Sequence, residues 1–110
     1  MKDDSALLKH IHDSIVKIQK YTQLGELAFL GDTMVHDAVI RNFEIIGEAT
    51  KGLSDAVKCK YPEIPWKQIA GMRDFLIHVY FAVKLETIWI TIQDDLPNLK
   101  MAVERELNIP

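Results

Sequence analysis

At 110 residues the chain is sized for one domain, spanning 1–110. Its 48% hydrophobic and 26% charged residues, with only five glycines and four prolines, exclude a disordered or fibrous protein. A net charge of −3 excludes a protein that coats nucleic acid through a generally basic surface, and a single cysteine, Cys59, excludes an internal disulfide. Met1-Lys2-Asp3-Asp4-Ser5 carries acids where a signal peptide carries cations, and no apolar run reaches membrane-spanning length. The expectation is a cytoplasmic protein that does not associate with membranes.

Periodicity is helical nearly throughout. Leu8, Ile11, Ile15 and Ile18 recur at three- and four-residue steps behind the cap candidates Asp3, Asp4 and Ser5, so a first helix is expected from about Ser5 to Gln23, ended by Leu24-Gly25. Gly25 to Gly31 holds Leu27, Phe29 and Leu30 and reads as a connection packed on the body of the domain. Asp32 then caps a second helix whose stripe of Val35, Ala38, Val39, Asn42, Ile45, Ile46, Ala49 and Leu53 runs to a stop signal at Gly52.

Ser54 caps a short helix through Lys60. Tyr61-Pro62-Glu63-Ile64-Pro65-Trp66 breaks the pattern, and Pro65 suits the first position of a helix carrying Trp66, Ile69, Met72, Phe75 and Leu76. A last segment carries Leu85, Ile88, Trp89, Ile92, Leu96 and Leu99, with Pro97 either kinking it or opening a separate helix. No stretch alternates as a strand. The fold class expected is all-α, an antiparallel bundle of about five helices without repeats or linkers.

Charge is unevenly distributed. Residues 57 to 84 hold Lys58, Lys60, Lys67, Arg73 and Lys84 against Glu63 and Asp74, a local +3, whereas the segments before and after are each −3. Inside this basic segment, Arg73, Asp74, His78 and Tyr80 form the pattern R-(N/D)-x-x-x-H-x-Y. The blocks Arg41-Asn42-Phe43-Glu44-Ile45-Ile46-Gly47-Glu48-Ala49 and Pro62-Glu63-Ile64-Pro65-Trp66 through Ala70-Gly71-Met72-Arg73 precede or overlap it.

In order and approximate spacing, over about residues 35 to 100, these three blocks resemble the HepT-like toxins of the HEPN superfamily. A bare R-x-x-x-x-H recurs by chance; three ordered blocks do not. The family pattern commonly has Gly after the histidine, where this chain has Val79.

The resemblance implies an endoribonuclease toxin of a type VII toxin–antitoxin system. RNA carries its own nucleophile, the 2′-hydroxyl, so cleavage needs a base, an acid and a cation facing the phosphoryl oxygens, with no metal. Imidazole exchanges protons near neutrality and guanidinium binds phosphate in a bidentate fork, which suits His78 as acid/base and Arg73 as transition-state stabiliser. Five residues span about 140° around and about 7.5 Å along an ideal helix, so one straight helix splays Arg73 from His78. Either the helix distorts near His78, or two copies related by a two-fold axis share the site. The resemblance implies the second: a homodimer with the RNA cleft along its interface.

Asp74 either orients His78 or Arg73 through a hydrogen bond or is a surface acid near a helix start. Tyr80 would by default be a core or interface tyrosine. The resemblance implies that it receives AMP from a partner, a minimal nucleotidyltransferase antitoxin of the MNT type, whose added phosphodiester would repel RNA and block the cleft.

Asn42 and Glu48 are either polar groups that support the site or, at least as readily, a satisfied buried amide and a surface acid, and packing explains Gly47. His10 and His12 point about 160° apart on one helix and cannot share an ion; His36-Asp37 has no partner at ligand spacing. No metal and no cofactor are expected, and no Gly-rich loop marks the chain itself as a nucleotidyltransferase. The rival reading is a catalytically silent helical module that docks a nucleotidyltransferase.

Overall fold

A computed structural model describes the backbone of residues 4–78 and 84–109 and the side chains of residues 4–72 and 84–109. Seven helices lie among the described residues: α1 (Asp4–Tyr21), α2 (Glu26–Leu30), α3 (Thr33–Gly52), α4 (Asp55–Lys60), α5 (Trp66–His78), α6 (Leu85–Asp94) and α7 (Leu96–Leu107). No strand occurs among them, as the periodicity requires. Five helices have ten residues or more; α2 and α4 are short turns between them.

The helix boundaries follow local chemistry. The Asp32 carboxylate accepts from the N–H groups of Met34 and Val35 at 3.0 and 3.2 Å, satisfying two donors that the first turn of α3 leaves without a carbonyl partner. Ser54 Oγ accepts from Val57 N–H at 3.4 Å and caps α4. Pro65 precedes α5 rather than opening it, and its carbonyl accepts the first helical bond, from Ile69 N–H at 3.0 Å. At the other end of the chain Asn108 adopts a left-handed conformation (φ 56°). Its N–H donates to the Arg105 carbonyl and that of Ile109 to Glu104, the paired bonds that close α7.

Helix α3 is the centre of the bundle, packed against both α1 and α5, while α7 lies against α1 and α6. The start of α1 meets the end of α3, where Asp4 bonds Ser54 and Leu7 lies over Gly52. Against α7, His12 contacts Glu104 and Gln19 contacts Lys100, so rising numbers on α1 meet falling numbers on α7. Both pairings are antiparallel.

The core contains the four α1 residues expected from spacing, Leu8, Ile11, Ile15 and Ile18, with Val39, Phe43 and Ile46 of α3 and Leu99 and Val103 of α7. Each buried aliphatic side chain contributes about 1.5–3 kcal/mol of transfer free energy. The connection from Gly25 to Gly31 is packed on the body as expected, and it folds as α2. Phe29 drives this: it is buried, with its ring 5.1 Å from that of His36 and 5.5 Å from that of Trp89. At the far end Pro97, which lacks an N–H, falls in the first turn of α7, and Asp95 alone separates α6 from α7.

Candidate functional site

The site is built on α5, whose origin is fixed by one indole. Trp66 Nε1 donates to the carbonyls of Lys58 and Tyr61 at 3.1 and 3.0 Å, locking the α4–α5 connection while its ring fills the core. One turn further, Ile69 is buried and Met72 half-buried, and both line an apolar crevice with Phe43 and Ile46 of α3 and Asp95 and Leu99 beyond. Lys67, Gln68 and Gly71 occupy the opposite, exposed face.

That register carries into the motif. Helix α5 is uninterrupted through His78, so within one copy the backbone positions of Arg73 and His78 stand about 140° apart around the axis and about 7.5 Å apart along it. The position of Arg73 continues the side of Trp66 and Ile69, whereas that of His78 continues the side of Lys67 and Gly71, as does that of Asp74. One copy therefore does not bring positions 73 and 78 onto a common face. Val79 and Tyr80 lie outside the described residues, and the side chains of Arg73, Asp74 and His78 lie outside the described side chains.

The remaining polar residues separate into distinct surroundings. Asn42 is buried and donates from Nδ2 to the Ala38 carbonyl of its own helix at 2.8 Å. Glu48 instead lines an outer groove between α1 and α3, with His10, Arg41, Glu44 and Lys51. His12 Nε2 lies 2.9 Å from Glu104 Oε2, and His36 Nε2 lies 2.5 Å from the Phe29 carbonyl oxygen. His10 and His12 thus face different partners, as their spacing requires. Among the described residues no group of three or more His, Cys, Asp or Glu is placed to hold a metal ion, and no helix is long and apolar enough to cross a membrane.

Two features of the basic segment were not legible in its charge count. Lys60 Nζ donates to both oxygens of Glu106, at 3.2 and 3.3 Å, and Tyr61 donates its hydroxyl to Glu106 Oε1 at 3.0 Å. Burial, then the Glu106 carboxylate, pushes the Tyr61 phenol above its ordinary value. Lys60 is thereby engaged within the fold, whereas Lys67 is exposed and pairs with no carboxylate among the described residues. The second feature is Gly71. It sits inside α5, where glycine costs about 1 kcal/mol relative to alanine, yet a Cβ there would meet no described residue within 4 Å. Packing among the described residues does not account for it; spacing i, i+4 from Lys67 was the available signal.

Comparison with known proteins agrees with the motif. The family described as "Ribonuclease HepT-like" matches residues 11–106. The chain is 43% identical over 99 residues to "Probable ribonuclease HepT" of Thermococcus cleftensis, covering 89% of this chain and 90% of that one. It is 39% identical over 108 residues to "Putative RNase TTE0752" of Caldanaerobacter subterraneus subsp. tengcongensis, covering 97% and 96%. To "Putative RNase MJ1380" of Methanocaldococcus jannaschii the identity is 35% over 104 residues, covering 94% and 95%. No solved structure matches the chain significantly.

Proposed function

The chain belongs to the HepT-like ribonuclease family, and from that premise we propose that it is a metal-independent endoribonuclease, active as a homodimer, and the toxin of a type VII toxin–antitoxin pair. The observation that carries the dimer is the continuity of α5. With positions 73 and 78 on different sides of one helix, a two-fold axis supplies the missing partner: Arg73 of one copy approaches His78 of the other.

In such a cleft the ribose 2′-oxygen attacks the adjacent phosphorus. The new O2′–P bond forms as the P–O5′ bond breaks, leaving a 2′,3′-cyclic phosphate and a free 5′-hydroxyl. His78 accepts the 2′-hydroxyl proton as general base and, as imidazolium, returns a proton to the departing 5′-oxygen. Arg73 faces the phosphoryl oxygens as their negative charge concentrates, and Asp74 orients the imidazole or the guanidinium. Since the nucleophile belongs to the substrate, the step calls for no metal-bound water.

Tyr80 stands two residues beyond His78 and is the acceptor of AMP from a nucleotidyltransferase antitoxin. Each transfer adds a phosphodiester charge and a base beside the catalytic pair, which repels and obstructs an incoming RNA without refolding the bundle. The decisive experiment incubates purified protein with RNA in EDTA. Cleavage is expected for the parent and lost in His78→Ala and Arg73→Ala, with dimer mass unchanged; a dimer that binds a nucleotidyltransferase and leaves RNA intact overturns the nuclease in favour of a docking module.

A further inference from the structure

Resting on the homodimer reading above, we propose that the two copies meet through the outer face of α3 between Asp37 and Lys51, the two α3 helices lying antiparallel about a two-fold axis that crosses them between Glu44 and Ile45.

Helix α3 is packed by α1 and α5, yet one stripe of it stays open. Asp37, Arg41, Glu48 and Lys51 are exposed and Glu44 and Ile45 half-buried, all within about 120° of arc around the helix. The block from Arg41 to Ala49 divides along this line. Asn42, Phe43, Ile46, Gly47 and Ala49 are buried and serve the core, whereas Arg41, Glu44, Ile45 and Glu48 line the outer groove, with Leu7 and Gly52 as further apolar surface. Apolar surface beside an arginine suits a protein contact, in which arginine is enriched. Glu44 and Glu48 in the same stripe disfavour an anionic occupant such as nucleic acid.

The order of charges selects the partner. It runs acid, base, acid, acid, base at Asp37, Arg41, Glu44, Glu48 and Lys51. When a helix meets its own copy antiparallel across a two-fold axis, a residue before the axis stands opposite the one equally far beyond it. With the axis between Glu44 and Ile45, Arg41 stands opposite Glu48 of the second copy, and Asp37 falls within one residue of opposing Lys51. Symmetry makes each pairing twice. Glu44, next to the axis, is countered by Arg41 of its own chain, 3.6 Å away, and a guanidinium has donors enough for Glu44 and for Glu48 of the second copy. Parallel helices would instead set Arg41 against Arg41 and Glu48 against Glu48, so the same charges choose the antiparallel arrangement. This axis also leaves α5 on the same flank of the dimer as its copy, as a cleft shared between the two requires.

The test follows the mass of the full-length chain by sedimentation equilibrium over a range of concentrations. Arg41→Glu turns both Arg41–Glu48 pairings into meetings of two acids, and Glu48→Arg turns them into meetings of two bases. Each variant is expected to raise the dimer Kd by about tenfold or more, with helicity by circular dichroism unchanged because both residues are exposed. The two substitutions move net charge in opposite directions, so a shared weakening reports the local pairs. Mixed in equal amounts, the two variants are expected to form a heterodimer near parental affinity, since each supplies the charge that the other lacks. The chain carrying Arg41→Glu and Glu48→Arg together is expected to dimerise with itself again. Ile45→Asp, which sets two carboxylates beside the axis, is expected to weaken the dimer as well.

A dimer with parental Kd in Arg41→Glu, Glu48→Arg and Ile45→Asp would overturn this face while leaving the homodimer standing. Weakening by only one of the charge reversals, or by both with no recovery in the mixture and the double variant, would also overturn it, because the two residues would then not face each other. A parent chain that stays monomeric at every concentration would remove the homodimer and this face together.

Discussion

Asp4 holds Ser54 at two points: its carboxylate accepts from the Ser54 N–H at 2.9 Å and from the Ser54 hydroxyl at 2.6 Å, joining the first turn of α1 to the cap of α4. Both bonds are charge-assisted and partly shielded, so Asp4→Ala is expected to lower unfolding free energy by about 1–3 kcal/mol. Urea denaturation of Asp4→Ala, Ser54→Ala and the double variant measures it. The two losses should overlap, since each single change already breaks the shared pair; strictly additive losses would refute the coupling.

Thr50 is fully buried on α3, and its hydroxyl has no hydrogen-bond partner among the described residues. A buried donor without an acceptor carries its desolvation cost in the folded state. Thr50→Val keeps the shape and removes the hydroxyl, and should raise stability by about 1 kcal/mol. A clear loss in chemical denaturation would show that the hydroxyl is satisfied.

Burial, and then neighbouring Asp94, pushes the Asp95 carboxyl above its ordinary range at the α6–α7 corner. The unfolded chain ionises at the ordinary value, so near neutrality the folded state carries a carboxylate it disfavours relative to the unfolded state. That cost fades as pH falls through the raised pKa and is gone below the unfolded one. Asp95→Asn should therefore stabilise the protein at pH 7, by a few tenths of a kcal/mol given partial exposure, and the advantage should vanish below about pH 3. Denaturation at both pH values checks the sign.

A site shared across a two-fold axis makes a sharp prediction about mixtures. Arg73→Ala and His78→Ala are each expected to be inactive alone. Co-refolded in equal amounts, half the dimers are mixed and one of their two sites is whole, so about a quarter of parental activity should return. A site built within one copy returns none.

Modification is expected to distinguish tyrosines. Tyr61 is half-buried, with its hydroxyl donated to Glu106, and a phenol engaged in this way is a poor acceptor for AMP. After co-expression with a nucleotidyltransferase antitoxin, peptide mass spectrometry should find AMP on Tyr80 and not on Tyr61, and Tyr80→Phe should abolish it. AMP on Tyr61 would contradict the assignment.

The all-helical class, the α1 and α3 stripes, the Asp32 and Ser54 caps and the three blocks of family resemblance were legible in the linear sequence. Helical periodicity and capping act over three or four residues, and a family pattern is written in residue order. The five-residue helix α2 was not read as a helix, because it forms where Phe29 meets His36 and Trp89, the latter from a helix sixty residues away. The withdrawal of Lys60 from the basic segment depends on Glu106, 46 residues on. Likewise only the packed register of α5 decided which face its exposed residues occupy and that Gly71 opens onto solvent. Local hydrogen bonds and side-chain spacing are properties of neighbouring residues, whereas charge pairing, exposure and open space depend on which distant helices the bundle brings together.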